Sequence, residues 1–148
     1  MVTADEIGGV AVFAGLDRAG RERLSQVAAD ISLVPGEYAA HEGEERALFA
    51  VLEGRIEPVK LVDGLERVVG VRHAGDIFGE VPIVLGTLFP VGFRAAESSR
   101  VMRVEPADYH AVAAVHPRSR RRWAVWLPTG WEDRGACLDS RPSRRHRE

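Results

Sequence analysis

Two kinds of hydrophobic pattern divide the chain at about residue 30. Before that point the pattern is helical. Thr3 and Glu6 have the spacing of a capping box, in which each side chain satisfies a free backbone N–H of a first helical turn. Asp17 is a good N-cap for a second helix that is predicted to run to about Ala29. The apolar stripe predicted for this helix consists of Leu16, Leu24, Val27 and Ala28.

From Ile31 onward, short β-rich runs alternate with turn residues. Asp63 and Gly64 lie between two such runs, and Asp-Gly in that position is a strong signal for a hairpin. Strands are predicted at Ile31–Val34, Glu37–His41, Ala47–Leu52, Arg55–Val62, Leu65–Arg72, Phe93–Glu97 and Arg100–Val104. Short strands with closely spaced turns predict a sandwich, a roll or a barrel.

Two helical segments interrupt or follow these strands. Gly79–Gly86 is predicted to form one helical turn, with Pro82 near its first position. Pro106 opens a short helix that is predicted to reach about Val115. Its apolar face consists of Tyr109, Val112 and Ala113. The predicted fold class is therefore mainly β with flanking helices, with about seven or eight strands.

The composition favours one small domain. The chain has 148 residues, of which 45% are hydrophobic, and this is enough for a core. No apolar run approaches the roughly 18 residues that a membrane span needs, and the acidic N-terminus does not resemble a secretory signal. Cys137 is the one cysteine, so an internal disulfide is excluded. We expect a cytoplasmic protein that does not enter a membrane.

The net charge of −2 is unevenly distributed. Residues 118–148 hold nine arginines and four carboxylates, a net charge of +5, which leaves −7 for the other residues. An acidic body is a poor partner for nucleic acid, because phosphate contacts need clustered Arg and Lys. No helix-turn-helix follows the final predicted helix. We expect no DNA-binding element in this chain.

The charge asymmetry divides the chain into a domain at residues 1–117 and an Arg-rich tail at 118–148. Beyond Gly130 the tail has no hydrophobic period. We expect this tail either to be poorly ordered or to stand in place of a C-terminal helix, and one hypothesis is that it is an out-of-frame or truncated remnant. The alternative is an arginine-rich docking segment.

The sequence gives no sign of catalysis. A metal-dependent cupin needs a close His pair and a carboxylate, but the histidines of the predicted domain are scattered at His41, His73, His110 and His116. No GxSxG motif occurs, and the one cysteine lies in the tail. We therefore expect no catalytic residue, no metal ligand and no enzyme activity.

The segment Gly75–Gly86 carries the most chemical information. A glycine-flanked helix start exposes N–H groups to an anion, and the carboxylate of Glu80 beside it suits a ligand with hydroxyl donors. Taken alone, the segment is more simply explained as a tight turn in which Glu80 caps the helix or pairs with Arg94.

The wider context favours a ligand site. The order and spacing of several segments resemble the cyclic-nucleotide-binding domain of Crp/Fnr-like bacterial transcription activators, kinase regulatory subunits and gated channels, over roughly Val12 to Val115. The matching segments are Phe13–Leu16, Val34–Tyr38, His41–Gly43, Val51–Gly54, Gly75–Glu80 and Arg94–Glu97. The resemblance implies an eight-stranded, jelly-roll-like β-roll that binds cAMP or cGMP beneath a short cassette helix.

Two positions depart from the family pattern. The resemblance places Gly79 and Glu80 at the pair that holds the ribose 2′-hydroxyl. Pro82, which has no N–H, stands where the family donates a backbone N–H to the phosphate. Phe89 stands where the family has its phosphate-binding arginine, and Arg94 falls on a different cation of a later strand. The ligand site implied by the resemblance consists of Phe78, Gly79, Glu80, Val81, Pro82, Phe89 and Arg94.

We therefore expect a small-molecule-sensing regulatory domain with a degenerate phosphate cassette, weak or no cAMP binding and no other cofactor. Gly-Glu-Val-Pro with Gly-Thr before Phe-Pro also resembles the N-terminal domain of actinobacterial or deinococcal thioredoxin-reductase-like flavoproteins. Expected partners are a small-molecule ligand and a second copy of the chain or another protein. The alternative is a protein-interaction module that uses the β-roll as a scaffold, detached from a larger regulator or oxidoreductase.

Overall fold

The structure of the protein is a computed structural model that describes residues 1–115, with the side chains of residues 1–111. The residues of the tail, including Cys137, and the side chains of Val112 and Ala113 lie outside this described part. The helices are α1 (Ala4–Gly8), α2 (Arg18–Val27), α3 (Glu80–Leu85) and α4 (Pro106–Val115), with a 3-10 turn at Ala11–Phe13.

The N-terminal helices begin where the sequence predicts. The capping box of α1 is confirmed, because Thr3 Oγ1 accepts from the Glu6 backbone N–H and the Glu6 side chain accepts from the Thr3 backbone N–H. Asp17 caps α2, since its Oδ1 accepts from the Gly20 N–H at 2.8 Å. Helix α2 ends at Val27, two residues earlier than predicted, and Val27 is 45% exposed rather than part of the buried stripe.

Nine strands, rather than the predicted seven or eight, lie in the described residues. They are β1 (Ala29–Leu33), β2 (Tyr38–Ala40), β3 (Leu48–Glu53), β4 (Arg55–Val62), β5 (Leu65–Val68), β6 (Arg72–His73), β7 (Ile77–Phe78), β8 (Gly92–Ala95) and β9 (Ser99–Val104). The predicted strand Leu65–Arg72 is divided into β5 and β6. The division follows from the partner strand, because Pro58 of β4 has no N–H to offer the ladder at this point.

The strands form two antiparallel sheets. One has the order β1-β9-β3-β7, and the other has the order β2-β8-β4-β5, with β6 also paired to β4. Alternate residues of β3 face opposite sides, as strand geometry requires. Leu48 and Ala50 pack against α1 and α2, whereas Phe49 and Val51 face the second sheet. The curled sheets therefore enclose one core between them and carry a second core beneath the helices.

Candidate functional site

The predicted cassette is a sharp connection between β7 and α3. Gly79 has φ +90°, a left-handed conformation that favours glycine, and it stands at the N-cap position of α3. A Cβ at this position would lie 2.2 Å from the carbonyl oxygen of Ala47 and 3.2 Å from Cζ of Phe89. Both the conformation and the lack of space therefore require glycine here, and this fixes where the next residue, Glu80, lies.

Glu80 carries a buried carboxylate. Its Oε2 is shielded from solvent and has no hydrogen-bond partner. Burial raises the pKa of Glu80 above its ordinary value of 4.5, and a hydrogen bond to its own backbone N–H and the positive charge of Arg72 only partly oppose this shift. The free oxygen can accept a hydrogen bond from a donor that the described residues do not supply.

Arg94 pairs with residues other than Glu80. Its Nη1 lies 2.8 Å from Oε2 of Glu66 and its Nη2 lies 3.4 Å from Oε2 of Glu57. The hydroxyl of Tyr38 also donates to Glu66, at 3.3 Å. The alternative in which Glu80 pairs with Arg94 is therefore wrong, because Arg94 is engaged by carboxylates of β4 and β5 instead.

Arg72 is a residue of this region that the sequence analysis missed. It lies in β6, opposite Ile56 of β4, and its charge is the one that acts on Glu80. Nε of Arg72 is buried without a hydrogen-bond partner, while Nη1 donates to the carbonyl of Val71 at 3.2 Å. The sequence feature that could have pointed to Arg72 is its position three residues before Gly75, the residue at which the cassette segment begins.

Phe89 fills the interior of the roll rather than lying open to a ligand. It is 2% exposed and belongs to an aromatic cluster with Phe49, Phe78 and Phe93. The ring centroids of Phe89 and Phe93 are 5.9 Å apart with an edge-on geometry, and those of Phe89 and Phe49 are 6.1 Å apart. The backbone is fixed as well, since the Phe89 N–H donates to the carbonyl of Glu44 at 3.0 Å.

The remaining cassette residues divide into a buried and an exposed set. Pro82 is buried, and its carbonyl accepts from the backbone N–H groups of Gly86 and Thr87. Phe78 is completely buried and stacks on Phe49 with centroids 4.8 Å apart. Val81, in contrast, is 42% exposed. The cassette is therefore anchored by its aromatic and proline side chains.

Residues 1–115 hold neither a metal-binding cluster nor a membrane-spanning helix. No group of three or more His, Cys, Asp or Glu side chains there is arranged to hold a metal ion. Among those same residues, no helix has the length and apolar character to cross a membrane.

Comparison with protein families places the chain. Residues 30–116 match the family model described as the cyclic nucleotide-binding domain. This match spans more than half of the chain. The narrower resemblance to thioredoxin-reductase-like flavoproteins is not needed to explain it. A search of curated proteins found no match.

Solved structures show the same fold. The sensor domain of the transcriptional regulator DNR from Pseudomonas aeruginosa superposes with a TM-score of 0.78 and 16% identity, over 96% of this chain and 95% of that chain. The regulatory subunit of a cAMP-independent protein kinase A from Trypanosoma cruzi, bound to guanosine, gives a TM-score of 0.71 and 20% identity over 91% of this chain and 49% of that chain.

A third structure is a triple mutant of the corresponding subunit from Trypanosoma brucei, in which one substitution replaces threonine with arginine. It is bound to cAMP in its A site and gives a TM-score of 0.72 and 20% identity, over 90% of this chain and 49% of that chain. The chain therefore spans about half the length of the kinase regulatory subunits that it matches.

Proposed function

The chain belongs to the cyclic nucleotide-binding domain family, and on this premise we propose that it is a small-molecule-sensing regulatory domain without enzyme activity. In this proposal, the carboxylate of Glu80 binds an uncharged, hydroxyl-bearing ligand such as a nucleoside, and the domain binds cAMP weakly or not at all. A cytoplasmic location and assembly with a second copy or a partner protein are part of this proposal.

The free oxygen of Glu80 is the observation that carries the proposal. A buried polar group without a partner costs about 1–3 kcal/mol, and a charged one costs more. Among the described residues, Oε2 of Glu80 has no partner. A ribose hydroxyl would donate a hydrogen bond to this oxygen. Binding would then remove the free-energy cost of leaving the oxygen without a partner, and this favours a hydroxyl-bearing ligand.

Two neighbours of Glu80 argue against a cyclic phosphate as that ligand. Pro82 has no N–H to donate, and Phe89 places a buried ring where the family pattern has an arginine. A hydrogen bond to a charged group contributes about 1.5–3 kcal/mol, so its loss weakens binding by roughly tenfold to a hundredfold or more. Neither side chain offers a hydrogen-bond donor to a cyclic phosphate, and an uncharged ligand does not need one.

Two of the structural relatives support this choice, while others are bound to cAMP. The two are forms of kinase subunits described as cAMP-independent, one of which is bound to guanosine. The other is a triple mutant that includes a threonine-to-arginine change, and that mutant is bound to cAMP.

Calorimetric titration of the full chain with cAMP, cGMP, guanosine and adenosine tests the proposal. We expect at least one nucleoside to bind more tightly than cAMP, and Glu80→Gln to weaken that binding by tenfold or more. Glu45→Gln, a change at an exposed carboxylate, is the matched control and should leave binding unchanged. Sub-micromolar binding of cAMP would overturn the proposal.

Restoring the phosphate donors gives a second test. We expect Phe89→Arg alone to gain little cAMP affinity, because Pro82 still withholds its N–H and the arginine would enter an aromatic cluster. Pro82→Ala with Phe89→Arg should gain more than the two single changes together, since two groups that share one phosphate are coupled. A folded double variant that binds no better than the wild type would favour the interaction-module alternative.

A further inference from the structure

We propose that two copies of the chain associate weakly through the open edge of β5, in an antiparallel strand pair that sets Val68 of one copy opposite Val68 of the other. This inference specifies the assembly with a second copy that is part of the proposed function. It does not depend on the ligand, because β5 contains none of the residues assigned to the ligand site.

Strand β5 lies at the edge of its sheet. Its one neighbour among the described strands is β4, and all four of its residues are exposed. A sheet edge presents backbone N–H and C=O groups that another strand can bind. The N–H of Val69 donates to the carbonyl of Pro58 at 2.9 Å, and successive residues along a strand point these groups in opposite directions. The backbone groups of Val68 therefore point toward the open edge.

The hairpin of β4 and β5 is apolar on both of its faces. The cross-strand register places Leu61 and Val68 on one face and Val62 and Leu65 on the other. A strand with apolar residues on both faces is typical of one that is covered on both sides. Six large side chains of this region are nevertheless between 38% and 64% exposed, and we call them the β5 edge surface: Leu61, Val62, Leu65, Val68, Val69 and Val71.

A two-fold axis limits how β5 can pair with a second copy of itself. Residues directly opposite each other in an antiparallel pair share one face, whereas neighbours along a strand point to opposite faces. A symmetric pair of identical strands must therefore be centred on a single residue. Centring on Glu66 or Arg67 would place two like charges directly opposite each other, and such pairs are destabilising.

Of the two remaining residues of β5, Val68 is the better centre. Centring on Leu65 would bring the hairpin turn at Asp63 and Gly64 into the strand pair, although both of these residues have positive φ and are not extended. Centring on Val68 sets it opposite its own copy, and no two charges then face each other. The open backbone groups of Val68 would meet their equivalents as a hydrogen-bonded pair.

The size and the charge of this contact predict a weak dimer. A standard protein–protein interface involves about 20–30 residues on each side, and the β5 edge surface is much smaller. The domain at residues 1–117 also carries a net charge of −7, so that two domains repel each other. We therefore expect a dimer that forms only at high protein concentration and becomes stronger when salt screens the repulsion.

Sedimentation velocity of the full chain over a range of protein concentrations tests the dimer. We expect the sedimentation coefficient of the wild type to rise with protein concentration, and to rise more steeply at high salt than at low salt. Val68→Lys sets two lysines opposite each other at the edge and should abolish the rise. Val34→Lys is the matched control, because Val34 is a similarly exposed valine outside the hairpin, and it should associate like the wild type.

Oxidative cross-linking tests the register independently. In a Cys137→Ser background, Val68→Cys sets two thiols across a hydrogen-bonded pair, whose Cα atoms lie about 5.5 Å apart and within reach of a disulfide. We expect this variant to form a covalent dimer. Arg67→Cys is the control at the next position. It would lie two residues out of line with its own copy, at a diagonal distance of about 7–8 Å, and should cross-link much less.

The outcomes separate this inference from the ligand of the proposed function. A wild type that stays monomeric at every protein concentration overturns the dimer and leaves the proposed ligand in place. Self-association that persists in Val68→Lys, or that weakens as salt rises, shows a contact through another surface and also overturns it. More cross-linking of Arg67→Cys than of Val68→Cys contradicts the register. Failure of every nucleoside to bind would instead overturn the proposed ligand and leave the dimer in place.

Discussion

Arginine and carboxylate side chains come together in two parts of this protein with opposite results. At one end of β9, Arg100 donates to both oxygens of Asp30, at 2.8 and 2.7 Å, and also contacts Glu6. The amino group of Met1 completes the cluster at 2.8 Å from Asp30. Near the cassette, Arg72 and Glu80 each retain a buried atom without a partner.

The pKa values follow this difference. Hydrogen bonds from Arg100 lower the pKa of Asp30 and of Glu6, and the two carboxylates in turn raise the pKa of Arg100. Burial raises the pKa of Glu80 instead. The Arg100 cluster therefore stabilises the fold, whereas the arrangement at Glu80 costs stability. A cost of this kind is commonly retained at a site that binds a ligand.

Truncating a side chain of the aromatic core beneath the cassette should change the free energy of unfolding more than any change at the two charged regions. Phe49 is 2% exposed and contacts both Phe78 and Phe89. We expect Phe49→Ala to lower the free energy of unfolding by about 3–5 kcal/mol, because it leaves a cavity in a closed aromatic cluster. Denaturant unfolding measures this, and an unchanged midpoint would show that Phe49 does not support the cassette.

Removing the cation of the Arg100 cluster should have the second-largest effect on the free energy of unfolding. We expect Arg100→Met to cost about 2 kcal/mol, since charge-assisted hydrogen bonds to Asp30 and Glu6 are lost together. Arg103→Met is the control on the same strand, because Arg103 pairs with the exposed Glu105 and such pairs contribute about 0–1 kcal/mol. If denaturant unfolding shows the same loss of unfolding free energy for both variants, the distinction between the Arg100 cluster and the exposed pair is contradicted.

The Arg100 cluster should also make the stability of the fold sensitive to acid. The lowered pKa values of Asp30 and Glu6 mean that the unfolded chain binds protons first. Their stabilisation is therefore present above the ordinary values of 3.8 and 4.5 and is lost as the pH falls through the lowered pKa values. We expect Arg100→Met to flatten this part of the pH profile of stability. A profile as steep as that of the wild type would show that other groups cause the loss.

The contribution of Glu80 to stability should depend on pH in the opposite direction, and Glu80→Gln should change the free energy of unfolding less than Phe49→Ala or Arg100→Met. Because its pKa is raised, the contribution of Glu80 to stability is most favourable below pH 4.5 and is lost as the pH rises through the pKa of Glu80 in the folded protein. We expect Glu80→Gln to stabilise the unliganded protein at neutral pH by about 1 kcal/mol, because a buried charge is removed. Glu45→Gln should change stability by less than about 0.5 kcal/mol. A loss of stability in Glu80→Gln would mean that Glu80 supports the fold.

Much of the fold follows from local signals. The capping box at Thr3, the N-cap at Asp17 and the hairpin turn at Asp63 and Gly64 predict their elements, and β4 has the predicted bounds of Arg55–Val62. In each case, the residues that determine the structure lie within a few positions of one another, so that a single sequence contains the information.

The features that were missed depend on distant residues. The two-residue strands β6 and β7 exist through pairing with β4 and β3, and neither has a hydrophobic pattern of its own. The Arg100 cluster joins residues that are 70 and 94 positions apart. The influence of Arg72 on Glu80 depends on how β6 packs near the cassette, which composition and spacing do not contain.

The pKa of Glu80 in the unliganded protein tests the central contrast most directly. Carboxyl 13C chemical shifts, followed by NMR from acid to neutral pH, report Glu80, Glu6 and Asp30 in one titration. The account predicts that Glu80 titrates above its ordinary value of 4.5, while Glu6 and Asp30 titrate below their ordinary values of 4.5 and 3.8. If Glu80 titrates at or below 4.5, its carboxylate is already satisfied, and the claim that it is held for a ligand is contradicted.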